Sequence, residues 1–427
     1  MAAMTQSMQW ISALSTRPSL EAAVNDVIEQ TQRQLHAAPD LAFVFISSAF
    51  ASEYSRLMPL LQAAIDVPVW IGCSGGGVVG VDANGQIQEI EGQAALSLTL
   101  ASLPDVAVHA FHLGTDELPD LDSPPDAWIQ LIGVAAEAQP DFVLLAAPTS
   151  PGVTELLQGL DFAYPGSVKV GGLASVNSLS GASGLFCNDR YYPDGIVGVA
   201  LSGNIVMETI VAQGCRPIGQ PYRVAAAERN ILTELEENTE ADETCGLART
   251  PLEVLQGLFQ ELDESDRELA QHSLFVGVAQ SSFKQQLEQG DFLIRNLIGV
   301  DPKTGAIAVG DRIRPGQRIQ FHLRDSAASA EDLRTLLARY QMQSRSIVID
   351  PSETDRASPV GALMFSCMGR GEGLYEQPNF DSQLFSQYLN QVPLSGFFCN
   401  GEIGPVGNTT FLHGYTSVFG ICRAAVS

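Results

Sequence analysis

Three times along the chain, an apolar run of strand length is followed by a helical stretch, a second apolar run and a glycine-rich turn. The first copy opens with Leu41–Ser47 (LAFVFIS). A helical stretch Glu53–Ile65 follows, with Leu57, Leu60, Leu61 and Ala64 at helical spacing. The strand Val67–Gly72 (VPVWIG) then enters the turn Cys73–Gly77, and Ala94–Leu100 closes the unit. The second copy has Phe142–Ala147 (FVLLAA), a helix around Val153–Phe162, Val168–Gly172 (VKVGG), the turn LASVNS, and strands Gly184–Cys187 and Ile196–Leu201. The third has Gly361–Cys367 (GALMFSC), a helix Asp381–Gln391, Val392–Phe398 (VPLSGFF), the turn CNGEIG and a last strand Thr416–Cys422. A helix between two such strands supplies the crossover that parallel pairing requires. Strands that run straight into Gly, Ser, Asn and Cys gather backbone loops at strand ends, where open α/β sheets bind ligands. The plainer reading is three unrelated β-α-β units; the recurring Val-Gly junctions favour a true repeat.

Between the second and third copies the pattern changes. Arg223–Glu236 and Thr250–Leu262 read as a strand entry and helices, with Pro251 placed for a helix start. Leu274–Ala279, Phe292–Gly299, Ala306–Val309 and Arg318–Leu323 read as an antiparallel meander, with Asp301–Gly305 (DPKTG) as a hairpin turn. A helix over Ser329–Gln341 takes Ser329 as its N-cap, and Asp350–Ser358 reads as a polar linker. Two glycines and two prolines in Gly214–Pro221 mark the domain boundary. The fold class expected is α/β (mixed α+β): two related domains of mixed β-sheet covered by helices. They are expected to span 1–219, with a helical lead-in over 1–38, and 220–427.

Composition narrows the function. The 427 residues carry 23 basic and 49 acidic side chains, a formal charge of −26. Nucleic-acid affinity comes from Lys and Arg on phosphates, so this excess argues against it, and against an anionic membrane surface. The seven cysteines (73, 187, 215, 245, 367, 399 and 422) contain no C-x-x-C pair, which argues against a disulfide framework and a zinc ribbon. The six histidines form no H-x-x-x-H or H-x-H array, so no metal is expected. The N-terminus lacks a basic segment followed by an apolar core, and no window reaches the length of a membrane span. A cytoplasmic protein acting on a small molecule or on another protein remains.

Five motifs in order carry a family resemblance: Ile71–Gly77 (IGCSGGG), Val170–Ala174 (VGGLA), Gly214–Gly219 (GCRPIG), Leu293–Asp325 and Gly396–Gly407 (GFFCNGEIGPVG). The chain resembles the FIST proteins, a FIST-N domain followed by a FIST-C domain. That resemblance implies a sensory module for small ligands such as amino acids, often found beside signalling domains. The two regions fill the chain from about residue 40, so signalling is expected to run through a partner chain. The resemblance implies no particular cofactor, and self-association stays open.

The candidate ligand-binding residues lie in the turns. Cys73, Ser74, Gly75 and Gly76 form a loop whose backbone N–H groups suit an anion, although without the lysine of a P-loop. A tight turn needing small residues is the plainer reading. Gly171, Gly172, Ser175 and Asn177 form the matching loop of the second copy. In the third, Cys399, Asn400, Gly401 and Glu402 bring a carboxylate to a strand end, and Arg370 sits between two glycines. If the ligand is an amino acid, Arg370 suits its carboxylate and Glu402 its amine. The alternatives are an enzyme, a hydrolase or transferase using the thiol of Cys399 or Cys73, and an adaptor that recruits another protein.

Overall fold

A computed structural model describes residues 7–176, 182–237, 248–281, 284, 286, 287, 289–347 and 358–425. By contacts the chain divides into two compact units: residues 1–212, 333–412 and 416–427, and residues 213–332 with 413–415. This partition does not coincide with a cut at residue 219. The second unit is an insertion into the third repeat.

The repeat is longer than its sequence signature. The first copy runs β1 (Gln9–Ser15), α1 (Leu20–Gln32), β2 (Leu41–Ser47), α2 (Tyr54–Ala64), β3 (Val69–Gly75), β4 (Gly77–Val81), β5 (Ile87–Glu91) and β6 (Leu96–Ser102). The expected helical lead-in is therefore corrected: it begins with β1, whose residues after Gln9 are all buried. The second copy runs β7 (Val106–Leu113), α3 (Pro125–Ile132), β8 (Asp141–Ala146), α4 (Val153–Ala163), β9 (Lys169–Leu173), β10 (Leu185–Cys187), β11 (Arg190–Tyr192) and β12 (Ile196–Gly203). The third begins with β13 (Val206–Gln213) and resumes, after the insertion, with α7 (Ser326–Ile347). It continues through β20 (Gly361–Cys367), α8 (Glu372–Tyr375), α9 (Phe380–Tyr388), β21 (Leu394–Cys399), β22 (Glu402–Val406), β23 (Thr409–His413) and β24 (Thr416–Arg423).

Each copy builds one six-stranded sheet and gives its hairpin to another. The orders are β1-β6-β2-β3-β10-β11, β7-β12-β8-β9-β22-β23 and β13-β24-β20-β21-β4-β5. In each the two strands flanking the crossover helix pair in parallel, and the edge beyond the second takes a hairpin from a different copy. One glycine fixes that geometry three times. Gly72, Gly171 and Gly396 stand opposite Val44, Leu144 and Met364. A Cβ at any of them would lie 1.8–1.9 Å from the carbonyl oxygen of that partner, so only glycine lets the strands approach. These positions set the equivalences between copies.

The sheets share one buried core on their inner faces, with Phe45, Leu145, Val170, Phe365, Phe397 and Val418 drawn from all three. Each outer face is closed by its own helices: α1 and α2 over the first, α3 and α4 over the second, α7 and α9 over the third. The near-continuous burial of β2, β8 and β20 follows from being covered on both faces.

The inserted unit is a closed barrel of β14 (Cys215–Glu228), β15 (Ile231–Glu237), β18 (Ile307–Val309), β17 (Phe292–Val300), β16 (Leu274–Ala279) and β19 (Arg318–Arg324). Helices α5 (Pro251–Glu261) and α6 (Glu264–Ser273) pack on it. Two expectations change here. The stretch Arg223–Glu236 is a hairpin without helix: Arg229 takes a left-handed turn conformation, and Val224, Leu232 and Leu235 fill the barrel. Helix α7 starts at Ser326 instead of after Ser329, because the Asp325 carboxylate accepts from the Ala328 N–H at 3.0 Å, while the Ser329 hydroxyl donates to the Gly214 carbonyl. The polar linker expected over 350–358 lies, apart from Ser358, outside the described residues.

Candidate functional site

The glycine-rich turns of all three copies converge on the shared core. Gly76 N–H donates to the Ser175 hydroxyl at 2.7 Å, and that hydroxyl donates to the Phe398 carbonyl. Ser74 N–H is taken by the Gly184 carbonyl at 2.8 Å. Leu173 N–H reaches the Gly401 carbonyl at 2.8 Å, and Asn400 N–H reaches Leu173 at 3.0 Å. A Cβ on Gly172 would lie 2.5 Å from the Cys399 sulfur, and one on Gly75 would lie 2.9 Å from Phe397 Cβ. Cys73, Ser74, Gly75, Gly76, Gly171, Gly172 and Ser175 thus knit the copies together. The N–H groups of Ser74 and Gly76, which an anion cradle would need, are already bonded. Asn400 is exposed on the turn before Glu402, and Asn177 lies outside the described residues.

Arg370 departs most from expectation. A position between two glycines suggests an open donor; instead Arg370 has no exposed surface. Its Nε and Nη2 donate to the two carboxylate oxygens of Asp381, at 2.8 and 3.0 Å. Nη2 also donates to the Tyr375 hydroxyl at 2.6 Å, and the Tyr375 ring lies 5.6 Å from the guanidinium carbon. Nη1 is buried and has no hydrogen-bond partner. Burial works against the cation, but the Asp381 charge and hydrogen bonds, together with Tyr375 and Cys367, outweigh it and hold Arg370 ionised.

Glu402 is equally buried. Its Oε2 accepts from the Thr416 N–H at 3.1 Å and from the Thr416 hydroxyl at 2.8 Å, whereas Oε1 accepts no hydrogen bond. Burial pushes its pKa up to about 8; the Thr416 bonds, the Arg370 charge and the Cys367 thiol oppose the shift without cancelling it. A second buried acid, Glu89, arrives on the hairpin that the first copy gives to the third sheet. Its Oε1 accepts from the Ser382 N–H at 2.6 Å, and its Oε2 has no partner. Burial first, then the charge of Asp381, raise its pKa.

The repeat supplies an internal control for these charges. By register, Glu402 corresponds to Val78 and Leu185. Counting from the paired glycines, Arg370 corresponds to Phe50 and Ser150. Glu89 corresponds to Tyr191, which packs against Tyr54 and Phe186. The fold therefore does not require charge at these positions. A buried ion pair flanked by two buried acids costs stability unless it is used.

Glu89, Asp381 and Tyr375 were not among the residues picked from sequence. Asp381 reads as an ordinary acid in a first helical turn, and Glu89 as a polar residue in an alternating hairpin; neither pattern shows the partner that buries it. Cys73 and Cys399 meet opposite conditions from those of a nucleophile. Burial drives both thiol pKa values well above the ordinary value, and for Cys399 the Glu402 charge adds to the effect. Alkylation of the native protein at pH 7.5 is expected to proceed at least about 100-fold more slowly at both than at a free thiol. Reaction at the rate of a free thiol or faster would overturn this account of their burial.

The FIST N domain matches residues 40–238 and the FIST C domain residues 251–405. The chain belongs to the FIST family. Over 405 residues it is 32% identical to an uncharacterised protein of Mycobacterium tuberculosis, covering 95% of this chain and 97% of that one. An uncharacterised protein of Mycobacterium bovis is 30% identical over 407 residues, 95% of this chain and 96% of its own. An F-box/LRR-repeat protein of Arabidopsis thaliana is 25% identical over 324 residues, 66% of this chain and 57% of that protein. FIST domains are taken as sensory domains for small ligands in signalling. The two FIST regions meet between residues 238 and 251, after β15, so the family boundary and the contact boundary differ. Among the described residues no helix is long and apolar enough to cross a membrane.

Proposed function

We propose that this FIST protein is a small-molecule sensor whose ligand is an amino acid, bound at the charged cluster around Arg370 and Glu402 of the third copy. The observation that carries this reading is a pair of unpartnered buried atoms of opposite character, Arg370 Nη1 and Glu402 Oε1. The two residues lie within electrostatic reach of each other. A ligand carboxylate satisfies the first and a ligand ammonium the second, which ends the cost of two unmet polar groups. Cys399, Asn400 and Gly401 form the turn that carries Glu402. Entry runs past the segment 371–379, which holds three left-handed residues, Gly371, Glu376 and Asn379. That segment is tied down by the Glu91 carboxylate on Glu372 N–H and by Asn379 on Gln88 and Glu89. Occupancy then passes to a partner chain in the cytoplasm through a shift between open and closed states of this segment.

A thermal-shift screen of the full chain against the twenty amino acids at millimolar concentration tests this. A ligand at ten times its Kd adds about 1.4 kcal/mol. At least one amino acid is expected to stabilise the wild type, and Glu402→Gln, which keeps the acceptors for Thr416, is expected to abolish the effect. Stabilisation by none of the twenty would sink the amino-acid reading and favour the adaptor.

A further inference from the structure

The charges around Arg370 do not balance for a neutral amino acid. Arg370 is matched by Asp381 in a two-point ion pair. A neutral amino acid brings one carboxylate for Nη1 and one ammonium for Glu402, which leaves the Glu89 carboxyl without a counter-charge. Glu89 is 6% exposed, its Oε2 accepts no hydrogen bond, and it interacts with both Asp381 and Tyr375, the groups that hold Arg370.

Two observations speak against a structural need for that carboxyl. The equivalent residue in the first sheet is Tyr191, so the hairpin seats on its host sheet without an acid. The bond that Glu89 Oε1 accepts from the Ser382 N–H requires an acceptor and no charge. An unpaired ionised carboxylate inside a protein is costly and stays protonated until a cation arrives.

We infer that the site selects an amino acid with a second cationic group, a diamino acid of the lysine or ornithine kind, and that Glu89 is the residue that reads it. This rests on the amino-acid reading above and adds the ligand's class. The second ammonium becomes the counter-charge that the Glu89 side chain lacks, and the Glu89 proton is released to solvent as it binds. Glu89 is thereby a specificity residue contributed by the first copy to a site otherwise built by the third.

The experiment is isothermal titration of the full chain with L-lysine, L-ornithine and L-norleucine, the last lacking only the terminal ammonium of lysine. Each is run in two buffers of different ionisation enthalpy, on wild type and on Glu89→Gln, which keeps the acceptor for Ser382. Lysine or ornithine is expected to bind at least about tenfold more tightly than norleucine. It is also expected to release about one more proton, and Glu89→Gln is expected to remove both differences between lysine and norleucine. Norleucine binding as tightly as lysine and ornithine, or a preference that survives Glu89→Gln, would overturn the inference and leave the amino-acid reading standing. Binding by no amino acid in the screen above would overturn both.

Discussion

Replacing Asp381 with alanine is expected to destabilise the folded chain by about 3–5 kcal/mol. Asp381 is 1% exposed and engages Arg370 through two hydrogen bonds, so its removal leaves a guanidinium with no exposed surface and only the Tyr375 hydroxyl as a side-chain partner. The cost comes less from the lost attraction than from the charge left behind in a medium that solvates it poorly. The double replacement Arg370→Met with Asp381→Leu is therefore expected to cost less than Asp381→Ala alone, because no charge is stranded. Urea unfolding of the three proteins at one pH measures this. A loss below about 1 kcal/mol for Asp381→Ala would mean that another group, Glu89 above all, takes over as counter-ion. In that case Asp381→Ala and Glu89→Gln will be strongly non-additive.

Stability is expected to fall as pH rises from about 6.5 to 8. Glu402 and Glu89 have an ordinary value of 4.5, and burial raises both in the folded protein, Glu402 to about 8. Between those limits the folded chain holds protons that the unfolded chain has released, so raising the pH favours unfolding. Each such group contributes up to about 1.4 kcal/mol per pH unit. Burial also raises Asp141 and Glu91 above their ordinary values, a shift of the same sign. Below pH 6.5 the buried His322 works the other way: desolvation lowers it to about 4, so the unfolded chain takes up a proton that the folded chain refuses. The upper window is thus the clean one. Urea midpoints at pH 6.5 and 8 should show the fall in wild type and a flatter response in the Glu89→Gln, Glu402→Gln double variant. Equal slopes in the two proteins would show that these carboxyls are not the source.

Much of the third sheet could be read from the chain. The run GALMFSC, the helix after it and VPLSGFF are local signals, and β20, α9 and β21 follow them closely. Arg370 and Glu402 stood out because each is a charge in a small-residue turn beside a buried strand. The environments of the two could not be read. Arg370 looked like a donor on a thin loop, yet Asp381, eleven residues on, folds back to bury it. Glu89 carried no signal at all, because the Ser382 N–H that donates to its carboxyl lies 293 residues away. Likewise, the alanine-rich stretch Arg223–Glu236 has good helix formers, but closing the barrel outweighs that local preference.

Sequence alone determines three copies of a strand-helix-strand unit, an inserted region of different pattern, a strongly acidic surface and the family. These are properties of local periodicity and composition, which neighbouring residues decide. Tertiary structure alone decides that each copy gives its hairpin to another sheet, that the insertion is a barrel within the third copy, and that Glu89 of the first copy meets Ser382 and Asp381 of the third. Those outcomes depend on which strand edges pair across hundreds of residues, and pairing of that range leaves no periodic trace. The same holds for the acidity noted at the start. Most of it lies outside the candidate site, while inside it burial turns Glu89 and Glu402 into groups that keep their protons near neutral pH.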